Sequence, residues 1–99
     1  MTAYVIGEEE VVLGFALIGV AGSAPASRED ALREFSAAIQ RAEPVLVLIT
    51  EAAAEWIADE IRNAVLTGKM VQVIPGVHPA RRRREDAQAL LLSALGIKL

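Results

Sequence analysis

The stretch VLVLI, Val45 to Ile49, is apolar without interruption and rich in β-branched residues. A strand with one wet face alternates apolar and polar side chains, whereas an unbroken apolar run predicts a strand covered on both faces. Two layers of other elements must therefore flank it. Three further short β-favouring runs surround it: Ala3 to Ile6 ended by Gly7, Ile18 to Ala21 closed by Gly22, and MVQVI (Met70 to Ile74) ended by Pro75-Gly76. Helical patterns separate these runs and one follows the last, giving the order β-α-β-α-β-α-β-α. Such alternation predicts an α/β fold with a largely parallel sheet and helices on its faces. Right-handed crossovers narrow this to a small doubly wound four-stranded parallel sheet with a C-terminal helix. Residues 1–76 form the sheet domain in this reading, and residues 77–99 a helical tail.

The helices are read from their ends and their periodicity. Glu8, Glu9 and Glu10 suit a first turn, where the macrodipole favours negative charge. Val12 and Phe15, with Gly19, then share a face, and Leu13 and Leu17 broaden it; the helix is expected to end near Leu17. Ser27 offers an N-cap to the next helix, with Glu29 and Asp30 behind it. Leu32, Phe35, Ile39 and Ala42 carry that helix to about Arg41, and Pro44 stops it. Thr50 is positioned to cap a third helix with Glu51 in its first turn; Ala54, Ile57, Ile61 and Ala64 form its apolar face and Gly68 ends it. Pro79 and the quartet Arg81 to Arg84 lead into a last helix, about Glu85 to Leu95, ended by Gly96.

The stretch EEEVVLGFALIGVAGSAPA, Glu8 to Ala26, superficially imitates an export signal, but its charge is inverted: acids precede the apolar run, and the first cation is Arg28. The run is also shorter than the roughly 20 residues that cross a bilayer. It reads as the start of a soluble core, with no direct membrane insertion. Ninety-nine residues suit one domain, and no cysteine is present for a disulfide, a thiol nucleophile or a thiolate metal site. Aromatic residues make up only 4% of the chain, which argues against a base-stacking nucleic-acid surface. The net charge of −3 is unevenly spread: residues 1–76 hold five Lys/Arg against eleven Asp/Glu, and residues 77–99 five against two. The tail is thus electrostatically opposite to the body.

Catalytic and ligand motifs fare poorly. A phosphate cradle needs converging amides, several glycines and no opposing charge, but the first strand leads into VIGEEE. Gly14, Gly19 and Gly22 fit turns and close packing better than a nucleotide fingerprint. Acids after a first strand also suggest a magnesium-binding receiver domain. That chemistry requires an aspartate after the third strand, where this chain has Thr50-Glu51, and a later lysine, whereas Lys69 precedes its strand. His78 is the sole histidine and has no readable triad or metal partners. Trp56 lies beside its helix's apolar face, as a partner anchor or as edge-of-core packing. Arg81 to Arg84 fit an acidic protein partner or plain solvation. The residues themselves indicate a binding or structural module with no catalytic, cofactor or metal site.

Taken in order, these pieces resemble the F subunit of the V/A-type rotary ATPases. The resemblance rests on the first strand ending Ile6-Gly7 before acids, on VLGFALIGV (Val12 to Val20), and on VLVLITEAAAEWI (Val45 to Ile57). VQVIPG (Val71 to Gly76) and the ending ALGIKL (Ala94 to Leu99) complete it. Two features depart from the family pattern: Ala16 stands where many members carry arginine or another long side chain, and the arginine quartet is unusual.

The resemblance implies a non-catalytic central-stalk (rotor) component of an ATPase or ATP synthase, cytoplasmic and peripheral to the membrane. It implies binding to the coiled-coil D subunit of the stalk, approach of the tail to the catalytic A and B subunits, and contact with the membrane-proximal funnel subunit. The protein would help couple ATP hydrolysis or synthesis to ion transport. The tail supports this independently: from Ala87 to Leu95 only Gln88 and Ser93 are neither Ala nor Leu. A helix apolar nearly all round must be buried on more than one side. Its expected partner-binding residues are Arg81, Arg82, Leu90, Leu91, Ala94 and Leu95. A freestanding receiver-like or small-ligand-binding regulatory module is the alternative.

Overall fold

A computed structural model describes residues 2–76 of the chain. Strands β1 (Thr2–Ile6), β2 (Ala21–Ser23), β3 (Val45–Thr50) and β4 (Met70–Ile74) alternate with helices α1 (Glu9–Ala16), α2 (Arg28–Ile39) and the pair α3 (Glu51–Trp56) and α4 (Ala58–Leu66). The sheet has the order β2-β1-β3-β4, and every pairing is parallel. This is the doubly wound α/β architecture expected from the alternation. The predicted last helix lies outside the described residues.

Side-chain alternation along β3 separates two apolar layers. Val45, Val47 and Ile49 point into the larger one with Ile6, Phe35 and Ile57, beneath α2, α3 and α4. Leu48 belongs to the smaller layer, where Phe15 of α1 meets Val5 and Ile74. Phe35 and Ile57 are essentially inaccessible to solvent, and burying such a side chain contributes about 1.5–3 kcal/mol.

Helix ends explain most boundaries. Ser27 Oγ accepts from the Asp30 amide at 3.2 Å, the expected N-cap of α2. Gly68, at φ +89°, ends α4 with Lys69 N–H bonded to Ala64 C=O and Gly68 N–H to Val65 C=O, a Schellman motif. Gly19, at φ +86°, closes α1 in the same way, with Val20 N–H on Phe15 C=O and Gly19 N–H on Ala16 C=O.

That second motif displaces one expected element. Ile18 to Ala21 is not the second strand: Ile18 and Gly19 are consumed by the helix terminus, and β2 begins only at Ala21. The third helix also differs from expectation, being interrupted at Ile57 (φ −133°, ψ +36°), whose side chain is fully buried. Helix α2 ends at Ile39, so Ala42 is not part of its apolar face.

Candidate functional site

In this topology the chain leaves β1 toward β2 on one side and reaches β3 on the other. The crevice beyond the carboxyl ends of β1 and β3 is therefore the topological switch point, where doubly wound folds place their ligands. Here it is filled by the chain's own side chains. Gly7 is buried at the end of β1, and a Cβ added to it would collide with Thr50 at the end of β3. Thr50 is fully buried and stands at the N-cap position of α3, yet its side chain makes no capping bond. Its hydroxyl instead donates to Glu8 Oε1 at 2.8 Å. Glu8 Oε2 is buried without a hydrogen-bond partner, and a Cβ on Gly76 would strike this carboxylate.

The acidic triplet is thus divided in role. Glu9 and Glu10 are exposed in the first turn of α1, as a solvated helix start requires. Glu8 is the exception: half-buried, it ties the exits of β1 and β3 together beneath Gly76. A carboxylate in that crevice repels phosphate. At the position where a receiver carries its phosphoacceptor, the structure has a buried threonine. Among the described residues, no group of three or more His, Cys, Asp or Glu side chains is arranged to hold a metal.

At the opposite end of the sheet, Arg41, Pro44, Lys69 and Met70 line an open recess of about 210 Å³. The Arg41 guanidinium lies 4.9 Å from the centroid of the Tyr4 ring. Neither feature brings together groups that could perform a reaction.

What the described surface offers instead is apolar area. Leu13 and Leu17 of the α1 region are 61% and 88% exposed, and Ile18 follows them. Val65 and Leu66 on α4 are exposed as well, as are Met70 and Val73 on opposite faces of the edge strand β4. Trp56, 41% exposed at the end of α3, is only partly covered by the core. Periodicity alone assigned Leu13 and Leu17 to a broad core stripe and so missed their exposure.

The six residues expected to bind a partner, Arg81, Arg82, Leu90, Leu91, Ala94 and Leu95, lie outside the described residues, as does His78. No helix among the described residues is long and apolar enough to cross a membrane.

The family of the ATP synthase (F/14-kDa) subunit has a sequence profile that matches residues 3–90, which takes in the sheet domain and much of the tail. The F subunit of the A-type ATP synthase of Methanocaldococcus jannaschii is 26% identical over 100 aligned positions, covering 100% of this chain and 99% of that protein. A switch point filled by its own side chains and a surface rich in exposed aliphatics accord with that company, and the extent of the match is decisive: this chain belongs to the F subunits of the V/A-type ATPases and ATP synthases.

Proposed function

We propose that this protein is the central-stalk F subunit of a V/A-type rotary ATPase or ATP synthase on the cytoplasmic face of the membrane. Its sheet domain binds the elongated coiled-coil D subunit and turns with it, next to the membrane-proximal funnel subunit. Its tail approaches the catalytic A and B subunits through Arg81, Arg82, Leu90, Leu91, Ala94 and Leu95. ATP chemistry belongs to other subunits in this reading, and the present chain helps couple it to ion transport. The observation that carries the proposal is the family match over residues 3–90, which spans body and tail together. The exposed apolar groups on α1 and along the α4–β4 edge supply contact area for a protein partner.

Affinity purification tests the assignment. The tagged protein, drawn from detergent-free extract under conditions that keep the ATPase head assembled, should bring with it a long helical partner and the catalytic hexamer. Recovery of an unaccompanied protein while the assembled ATPase stays in the unbound fraction would reject the reading.

A further inference from the structure

Two residues at helix starts turn away from their own helices and toward each other. Threonine is a favoured N-cap because its hydroxyl accepts a bond from the first free amides of a helix. Thr50 stands at that position before α3, yet gives α3 no side-chain cap. Glu8 stands at the same position before α1 and likewise makes no capping bond. The Thr50 hydroxyl donates instead to Glu8 Oε1, across 42 residues of chain. Local helix chemistry does not account for this pair, so what lies against it must.

Glycines stand on both sides of it. A Cβ on Gly7 would collide with the Thr50 side chain, and the atoms nearest a Cβ on Gly76 all belong to the Glu8 carboxylate. Neither glycine is at positive φ. Room for the pair, not backbone conformation, calls for glycine at both places. Gly76 is also where the chain leaves the sheet, two residues beyond the end of β4. Ile74 is buried and Pro75 has a fixed φ, so Gly76 is the first residue there with free backbone rotation. It is itself buried, against the carboxylate. The contact has a cost: Glu8 Oε2 is buried with no hydrogen-bond partner, a lack that water makes good once the carboxylate turns outward.

We propose that Glu8 is a latch on the chain's exit from the sheet. Held by Thr50, its carboxylate packs on Gly76 and fixes the direction in which the chain leaves β4. Release of the Thr50 bond lets the carboxylate turn to water, where both oxygens are solvated, and returns to Gly76 its freedom. The Thr50 bond and the packing favour the closed arrangement, while the unmet oxygen opposes it. The exit is thus poised between two states. Glu8 and Thr50 act as positioning residues for the chain that follows Gly76. The latch lies within residues 2–76 and is read in the free protein, so it holds or fails independently of the stalk assignment.

NMR relaxation of the full-length protein tests it. The Gly76 amide should be as ordered as that of Val73 in β4, with an order parameter of about 0.85. In Thr50→Val and in Glu8→Ala it should fall below about 0.6, the range of a flexible backbone, while Val73 keeps its value. Glu8→Gln still offers the hydroxyl an acceptor and should keep Gly76 ordered. A merely structural bond would lower the urea midpoint in these variants without loosening Gly76. Gly76→Ala gives a second measurement, because the added Cβ meets the end of a flexible side chain and evicts the carboxylate from a body that still folds. In that background Thr50→Val should shift the urea midpoint less than about a third as far as in the parent, the bond being already broken. Three results would each overturn the proposal: a Gly76 amide mobile in the parent, one still ordered in both Thr50→Val and Glu8→Ala, or a Thr50→Val shift undiminished by Gly76→Ala.

Discussion

Glu8 has one carboxylate oxygen held by the Thr50 hydroxyl and the other buried without a partner, so the Thr50 bond is the only one its side chain makes among the described residues. Thr50→Val keeps the shape but removes the donor, and should lower stability by about 1–3 kcal/mol, the cost of leaving a buried acceptor unmet. Glu8→Gln retains an acceptor for the hydroxyl and should cost less. Urea unfolding of the two variants makes the comparison, and a neutral Thr50→Val would show that Glu8 turns to water instead. Gly22 is a second fixed position, because a Cβ there would meet both the side chain and the carbonyl oxygen of Val5 on the neighbouring strand. Backbone cannot step aside as a flexible side chain can, so Gly22→Ala should destabilise by about 1–3 kcal/mol through overpacking. Asp30 illustrates a surface charge with a specific partner. The hydrogen bond from Arg33, 2.6 Å to Oδ1, holds its carboxyl below the usual 3.8, aided by the Ala26 backbone and the Ser27 side chain. A lowered folded-state pKa contributes stability above the ordinary value and loses it as pH falls through the lowered one. In Arg33→Ala, an NMR titration should find Asp30 moved back up toward 3.8.

Elements in this chain are set by their ends as much as by their apolar faces, and glycines separate the two effects. Gly14 lies within α1, and a Cβ there meets nothing within 4 Å. Gly14→Ala should therefore stabilise by about 0.5–1 kcal/mol, the backbone freedom that glycine loses in a helix interior. Gly68 has equal room but sits at φ +89°, where an L-residue is strained. Gly68→Ala should destabilise by about 1–2 kcal/mol. Thermal melts of the two variants should shift in opposite directions, and a shared sign would mean that local backbone preference does not govern these helices. The same distinction explains what was legible in the sequence. The Ser27 cap, the Gly68 stop and the β3 strand itself were readable because each signal acts within one turn or one strand, although the expected cover on both faces of β3 is complete on one face only, Leu46 and Leu48 being half-buried. Strand β2 was misplaced because Ala21-Gly22-Ser23 has little β-propensity of its own and is strand only by pairing with β1. Ile18 drew the prediction toward itself, though it belongs to the end of α1. The break at Ile57 carries no proline or glycine to announce it. Thr50 was read as a helix cap from its position, and its bond to a carboxylate 42 residues away was not readable from any local pattern.

On the scale of the whole molecule, the strands and the apolar layers of the body are complete before the Ala/Leu-rich tail begins. All four strands and the larger apolar layer, from Ile6 through Phe35 to Ile57 and Ala64, lie within residues 2–76. Truncation after Val77 should consequently leave a body that still unfolds cooperatively, as followed by circular dichroism. Loss of cooperativity altogether would instead make the tail an inseparable part of the core. In a reconstituted ATPase the truncated body should still bind the coiled-coil stalk partner, if that contact is made by the sheet domain. The rate of ATP hydrolysis or its coupling to ion flow should change, since no tail remains to reach the catalytic head. Leu91→Asp should reproduce much of this in the full-length chain if Leu91 meets a partner as proposed, because an unpaired charge at a buried contact costs about 3–5 kcal/mol. Arg82→Ala should do far less, one rim charge among four being worth about 0–1 kcal/mol. Activity and coupling that stay unchanged in both the truncated and the Leu91→Asp complexes would remove the tail from the motor's mechanism, while leaving the family membership intact.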